Sequence, residues 1–373
     1  MATLLDDQAI AERIFSHIAA GTTDLAEAGW REPVENYRSQ ARFDAELERV
    51  LRRTPTPFCP SAALTEVGSY VARVAAGTPV VALRDADGAV RAYRNSCRHR
   101  GMQVVEGSGC ARALACRYHG WTYGLDGALR HVPHDHGFPD LDKSRRGLVP
   151  LPAFEKSGLV FVAQDPAARD DGSFDGIPDL IGKDQRMFAS RESLLPANWK
   201  IFLEGFLEGY HIKTTHPSTF YPFGFDNLNV IEHFGRHSRV TFPFQRIAKL
   251  ADVPPAERKV GGALTYVYQL FPNAVVTVLS HHTALLILEP VSLSETRLVS
   301  YSLTNRPASD PQAQADAERD AAFVNQTGGA EDAAVVCAIQ RGLASGANEE
   351  FVYGRFEGAI AHFHRALDAA LAR

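Results

Sequence analysis

The sequence predicts an α+β chain in two domains, a small antiparallel β domain followed by a larger one in which helices cover an antiparallel sheet. Three observations carry this. From about residue 56 helical periodicity gives way to short β-branched runs punctuated by Asp-Gly turns. Residues 165–190 are rich in Asp, Gly and Pro, as a linker would be. Beyond them several strand-like runs lie between two helical stretches. A length of 373 residues suffices for two or three domains, each with its own core. The expected division is 1–45, 46–164 and 165–373.

Residues 1–45 read as a helical segment packing on the larger domain, with Ile10, Ile14, Phe15 and Ile18 at three-to-four spacing. SYVARVAAG, TPVVALRDADGAVRAYRN and LACRYHGWTYGLDGALRHV then read as strands, with hairpin turns at Asp87-Gly88 and Asp126-Gly127. LVPLPAFEKSGLVFVAQDP closes the small domain with two more. In the larger domain a helical stretch follows Asn198, and strands are expected near 229–245, 263–271, 274–280, 283–289 and 297–304. A long helical C-terminus starts near Asp310, broken at Thr327-Gly328-Gly329 and again between Gly342 and Gly346.

Composition narrows the function. Apolar residues at 45% and charged residues at 22% are the proportions of an ordinary globular protein. No apolar run is long enough for a membrane span, and MATLLDDQAIAERIF lacks the basic start and apolar core of a secretory signal. A net charge of −5 leaves no basic excess to neutralise nucleic-acid phosphates. The five cysteines are Cys59, Cys97, Cys110, Cys116 and Cys337, an odd number that fits a reducing cytoplasm better than a disulfide framework.

Two of those cysteines belong to the most informative stretch, CRHRGMQVVEGSGCARALACRYHGW. Cys97 and His99 are one residue apart, Cys116 and His119 two. Two thiolates on one iron of a [2Fe–2S] cluster and two imidazoles on the other make the Rieske arrangement, with a potential of roughly −150 to +300 mV. A structural Cys₂His₂ zinc site uses the same residue types, but zinc motifs typically pair like with like, and here each pair is mixed. Cys110 lies outside both pairs and reads as a loop or packing residue.

A second cluster lies in NWKIFLEGFLEGYHIKTTHP. His211 and His216 would sit about 140° apart on an ideal helix, so they converge only if the helix ends or bulges between them. Ile212, Thr214, Thr215 and Pro217 favour such a break. Two imidazoles and a carboxylate form the facial triad of non-haem Fe(II) oxygenases, which leaves positions open for O₂ and substrate. The isolated pattern His-x₄-His would otherwise be coincidence. The runs around His131, His134 and His136, and His362 with His364, read as surface or packing residues. One of His281 and His282 should face inward, where it would either line a substrate pocket with Tyr266 or Tyr268 or serve as a core residue.

Cys97, His99, Arg100, Gly101, Cys116, Tyr118, His119, Gly120 and Trp121 resemble the Rieske motif of the Rieske non-haem iron oxygenases. Asn198, Trp199, Lys200, Glu204, Glu208, Tyr210, His211, His216 and Pro217 are similar to the iron-binding segment of the same family's terminal oxygenase, or alpha, subunit. The spacing between Lys200 and Glu204, and Glu rather than Asp at 208, look most like its quaternary-ammonium and N-dealkylating monooxygenases. Gly205 departs from the family's usual Asn. Glu331, Asp332, Val335, Gln340, Gly342 and Leu343 resemble its distal segment.

The resemblance implies Asp332 as the third ligand of a mononuclear Fe(II) beside His211 and His216. Glu331 is chemically possible, but neighbours on a helix point about 100° apart, so only one fits. It further implies that Glu208, on one helix face with His211, bridges that histidine to the cluster-ligand His119 of a neighbouring protomer. A homotrimer follows. The chain carries no nicotinamide or flavin motif, so a separate ferredoxin or flavin reductase is expected to supply electrons. The expected reaction is O₂-dependent monooxygenation of a small organic substrate, such as oxidative N- or O-dealkylation. Aromatic-ring dihydroxylation and a pure electron-transfer role are the alternatives.

Overall fold

The computed structural model describes residues 4–169, 172, 174–307 and 309–372. The chain forms two compact units, Leu51–Asp171 and a second that joins Met1–Val50 to Gly172–Arg373.

Helix α1 (Asp7–Ala20) begins where the Asp6 carboxylate accepts the Ala9 N–H, and it stops at Gly21, whose φ of 61° suits glycine. The helical reading of residues 1–45 fails between that point and Glu35. Strand β1 (Trp30–Pro33) intervenes before two short helices, α2 (Glu35–Arg38) and α3 (Gln40–Ala45). β1 pairs antiparallel with the strand Glu350–Tyr353 near the other end of the chain. Four residues with a partner that remote carry no local signature.

The unit Leu51–Asp171 is built from β2 (Thr56–Pro60), β3 (Ser69–Ala75), β4 (Thr78–Arg84), β5 (Val90–Arg94), β6 (Gly107–Cys110), β7 (Leu114–Ala115), β8 (Thr122–Tyr123), β9 (Leu129–His131), β10 (Pro150–Leu151), β11 (Ala153–Lys156) and β12 (Leu159–Val162). They make three antiparallel sheets, β10-β5-β4-β3-β6, β7-β8-β9 and β11-β12-β2. The Asp87-Gly88 turn lies between β4 and β5, where Asp85 Oδ1 accepts the N–H groups of Asp87 and Ala89. Val81, Leu83, Leu114, Trp121 and Tyr123 form a core that also encloses Cys97 and Cys116.

In the second unit, β13 (Met187–Leu195) opens a seven-stranded sheet. Its first residues fall in the stretch expected as linker. Most of this edge strand is exposed or half-buried, so MFASRESLL lacks the alternation by which strands are read. Next come α4 (Trp199–Gly205), α5 (Ile212–Thr215), β14 (Val230–Phe234), β15 (His237–Pro243), β16 (Leu264–Leu270), β17 (Ala274–Val278), β18 (His282–Ser292) and β19 (Glu295–Thr304). The C-terminal part holds α6 (Ala313–Gln326), α7 (Gly328–Leu343), β20 (Glu350–Tyr353) and α8 (Gly358–Leu371). The sheet order is β13-β19-β18-β17-β16-β15-β14, antiparallel throughout.

The two faces of that sheet are covered differently. Val240, Val267, Val275 and Leu288 pack against Leu203 of α4, Val336 and Leu343 of α7, and Phe363 and Leu367 of α8. Burying each such side chain is worth roughly 1.5–3 kcal/mol. The opposite face packs Val230 and Leu264 against Ile10 and Ile14 of α1. Among the described residues no helix is long and apolar enough to cross a membrane.

Candidate metal centres

The loops that carry Cys97 and Cys116 are built alike. The carbonyl of each cysteine accepts the N–H of the glycine four residues on, Gly101 and Gly120, at 2.9 Å in both cases. Each cysteine N–H donates to the carbonyl one residue further, Met102 at 2.8 Å and Trp121 at 2.9 Å. Both glycines have positive φ, 81° and 72°, which an L side chain would strain. Two equal turns hold each Cys beside its own His. The His99 and His119 ring centroids are 4.7 Å apart, and His99 stacks on Trp121 at 4.9 Å.

Cys97 and Cys116 are buried, and His99 Nδ1 is buried with no hydrogen-bond partner. An orphaned imidazole nitrogen, a second imidazole ring close to it and two buried thiols are a donor set that suits a mixed-ligand cluster. Tyr123, which carries no signature of its own in the sequence, lies with its hydroxyl 3.3 Å from Cys97 Sγ and accepts the Arg98 N–H at 2.8 Å. A hydroxyl donated to a ligand sulfur is one of the means by which proteins set a cluster's potential. His119 and Tyr118 are exposed, with their rings 3.7 Å apart.

In the second unit the anchor is the start of α4. Asn198 caps it by accepting the Lys200 N–H at 3.0 Å, and Lys200 Nζ donates to both oxygens of Glu46 at 2.8 Å. Trp199 and Lys200 are fully buried, so Asn-Trp-Lys acts as a structural plug. α4 ends at Gly205, earlier than the sequence suggests, and Glu208 therefore lies in a turn rather than on a helix with His211. Its carboxylate still meets that residue, accepting the N–H groups of Tyr210 and His211 and contacting the ring Nδ1.

His211 and His216 bracket α5 as its N-cap and C-cap. The break expected between the two histidines occurs, and their ring centroids come to 5.2 Å. Asp332, in the first turns of α7, brings Oδ1 to 2.9 Å from His216 Nε2 and 3.6 Å from His211 Nε2. Ligand atoms of the three residues lie within 4.8 Å of one another. His216 Nε2 is fully buried and outside hydrogen-bond geometry with any group, including Asp332. A buried imidazole nitrogen left open beside a carboxylate fits a divalent metal.

Glu331 is the neighbouring carboxylate that rivals Asp332 by chemistry alone. It lies behind the site, accepting from His216 Nδ1 at 2.7 Å and from Thr219 Oγ1 at 2.6 Å. Each histidine thus has a carboxylate on Nδ1 and its Nε2 turned toward Asp332, the arrangement that orients metal-binding imidazoles. Burial opposes protonation of both rings, but the acids outweigh it, Glu208 and Asp332 at His211, Asp332 and Glu331 at His216. Both values rise above the usual imidazole range. Phe220 packs on His216 at 4.8 Å, and its ring occupies the space where a Cβ on Gly328 would lie, 2.0 Å from Phe220 Cζ. Only glycine starts α7 there.

A cleft of about 550 Å³ reaches His211 and Asp332 between α4, α7 and β20. Phe202, Phe206, Val336 and Leu343 wall it, and Glu204, Glu208 and Glu357 reach it. No lysine or arginine is among its lining residues. Tyr266 and Tyr268 do not line the metal side, contrary to expectation. Their strand positions face α1, where Tyr266 donates to Asp7 at 2.7 Å and Arg239 contacts Tyr268 at 3.4 Å. His282 is the inward member of its pair, held by Asp320 at 2.9 Å. His131, His134 and His136 are exposed.

Comparison with known proteins matches both units. The family described as ring hydroxylating alpha subunit (catalytic domain) covers residues 183–373, and the Rieske [2Fe-2S] domain covers residues 54–149. The carnitine monooxygenase oxygenase subunit of Escherichia coli (strain K12) is 28% identical over 362 residues, 91% of this chain and 93% of that one. The chloroplastic choline monooxygenase of Spinacia oleracea is 27% identical over 359 residues, 91% and 78% of the two chains. The solved structure of the quaternary ammonium Rieske monooxygenase CntA with L-carnitine superposes with a TM-score of 0.76 at 23% identity, covering 99% of each chain. Naphthalene 1,2-dioxygenase from Rhodococcus sp. gives 0.77 at 19% identity, covering 99% and 100%. At these identities the structural matches establish the fold.

Proposed function

The chain belongs to the ring-hydroxylating alpha subunits that carry a Rieske domain, and from that premise we propose that it monooxygenates a small quaternary or tertiary amine. Cys97, His99, Cys116 and His119 would hold the [2Fe–2S] cluster, and His211, His216 and Asp332 the Fe(II). When bound, the two centres supply electron relay and O₂ activation. The single observation that carries the reading is the convergence of His211, His216 and Asp332 with both Nδ1 atoms engaged and His216 Nε2 left open.

The chain's own residues supply orientation and access. Glu208 and Glu331 fix which nitrogen of each imidazole is free. Apolar walls with carboxylates as the acidic groups favour approach of a cation over an anion. The relatives named for carnitine and choline support an amine substrate. Hydroxylation at the carbon beside nitrogen, C–H + O₂ + 2e⁻ + 2H⁺ giving C–OH + H₂O, yields a hemiaminal that collapses to an aldehyde and a shortened amine. Electrons come from a separate ferredoxin or flavin reductase, and exposed His119 and Tyr118 suit docking against Glu208 of another protomer in a homotrimer.

Anaerobic purification with metal analysis, followed by an amine screen under labelled O₂ with a generic ferredoxin and reductase, tests this. Two cluster irons plus one more per chain, and one labelled oxygen in the product, are expected. Two labelled oxygens would establish dioxygenation instead, and a chain with cluster iron alone would be an electron carrier.

A further inference from the structure

A second cavity, a groove of about 1270 Å³, lies on the side of the seven-stranded sheet that Tyr266 and Tyr268 face. It shares no lining residue with the cleft at the candidate iron site. Its walls come from residues 178–185, the turn Gln245–Leu250, residues 259–264 and the hairpin between β17 and β18. Half-buried Tyr266, Val278 and Leu279 give it an apolar floor.

Charge is distributed unevenly around this groove. The unit that contains it, Met1–Val50 with Gly172–Arg373, holds 23 lysines and arginines against 32 acids. Five of those cations are lysines. Lys200 pairs with Glu46 and Lys213 with Asp226. The other three, Lys183, Lys249 and Lys259, have no acid partner among the described residues, and all three line the groove. Arg246 joins them. Its Nε donates to the Gly262 carbonyl and its Nη2 to Ser280 Oγ at 2.8 Å, and the guanidinium lies 4.3 Å from the Phe244 ring centroid. Both acceptors are neutral, so the guanidinium is held in place with its charge uncancelled and Nη1 open. Arg306 is paired with Asp310 and Asp316, and Asp320 accepts from the His281 N–H and contacts the His282 ring. Four cations are therefore offset by Asp179 and Asp184 alone.

The backbone adds two donors. Gly261 and Gly262 line the groove, and among the described residues neither N–H donates to a protein group. A Cβ on either glycine would meet nothing within 4 Å, so their backbone lies bare to the groove. Lysines scattered over a solvated face would need neither a fixed guanidinium nor an open glycine pair. Cations and free N–H groups converging from separate segments make an anion site.

We propose that this groove binds a small phosphate ester, with the phosphate held by the lysines, Arg246 and the Gly261 and Gly262 N–H groups. The apolar body of the ester rests on Tyr266, Val278 and Leu279. A phosphate group carries a charge of about −1.5 to −2 and three acceptor oxygens, enough for donors that arrive from several directions. A carboxylate offers two oxygens in one plane, which suits a single fork better than a ring of ammonium groups. The site does not depend on the oxygenase reading, since none of its residues is a candidate metal ligand.

Calorimetric titration of the full chain with AMP, adenosine and citrate, at about 0.15 M salt, tests it. AMP should saturate at one site per chain. It should bind about tenfold or more tighter than adenosine, which lacks the phosphate, and tighter than citrate, which has charge without the phosphate group. Failure of AMP to saturate, or citrate or adenosine binding as tightly, would overturn the proposal without any variant. Lys249→Ala combined with Lys259→Ala should weaken AMP binding about tenfold or more, with melting temperature and iron content unchanged. Unchanged affinity in that variant would overturn the site. So would an equal loss from Lys143→Ala in the other unit, since it would show diffuse attraction in place of a groove.

Discussion

Glu331 sits one residue from the acid that the family resemblance assigns to the metal, and the two carboxylates do different work because a helix turns them apart. Asp332 faces His216 Nε2, while Glu331 holds Nδ1 of the same ring from behind and is itself steadied by Thr219. Removing such a support typically costs about 10–100-fold in metal affinity. Glu331→Ala should therefore weaken Fe(II) binding by about that factor while leaving the [2Fe–2S] absorbance intact. Iron titration against a chelator checks it, and unchanged affinity would show that His216 is held by packing on Phe220 alone. At this scale the sequence was legible in part. His211 and His216 stood out by type and spacing. Asp332 did not stand out among 44 acidic residues, because a ligand far along the chain is set by the fold. Glu331 was read as a rival ligand because its partner, the far side of an imidazole, exists only in three dimensions.

Among elements, strong local pattern was read well and long-range pairing poorly. α6 and α7 are separated at Thr327, where the Thr-Gly-Gly run predicts a break. β1, β20 and β13 escaped because each is short or exposed and owes its existence to a partner strand. The junction between β20 and α8 carries a pH signature. Glu357 stands at the start of α8 and accepts the Gly354 N–H. Burial, with repulsion from Glu208 and Glu204, outweighs that hydrogen bond and moves its carboxyl from 4.5 up to about 7. Between those values the folded chain keeps a proton that the unfolded chain has lost, so this group's contribution falls as pH rises and levels off above about 7. Glu357→Gln removes the ionisation. The variant should melt with the wild type near pH 5 and above it at pH 8 in the metal-free protein, with the gap opening across that interval. A difference that does not vary with pH would mean that Glu357 stays ionised throughout.

For the whole molecule the question is whether electrons pass between chains. His119 and Tyr118 are exposed, and Glu208 engages His211 at the edge of an acidic cleft. On the proposed reading each is half of a junction. If the junction joins two protomers, two inactive chains should repair one another. A His119→Ala chain lacks the cluster but keeps Glu208 and the iron triad, whereas a Glu208→Gln chain keeps the cluster and the mononuclear iron but cannot bridge. Either homo-oligomer should be inactive. Co-expressed in equal amounts with separate tags, each junction is productive when an intact cluster faces an intact Glu208, which random assembly of a closed ring achieves in about a quarter of cases. Activity near that fraction of wild type is the expected outcome. It should disappear when the two variants are purified apart and mixed without subunit exchange. If the cluster instead served the iron of its own chain, neither chain would hold a complete path and no mixture would regain turnover. A single chain carrying both substitutions, co-expressed with wild type, sets the scale, since it contributes neither half of a junction.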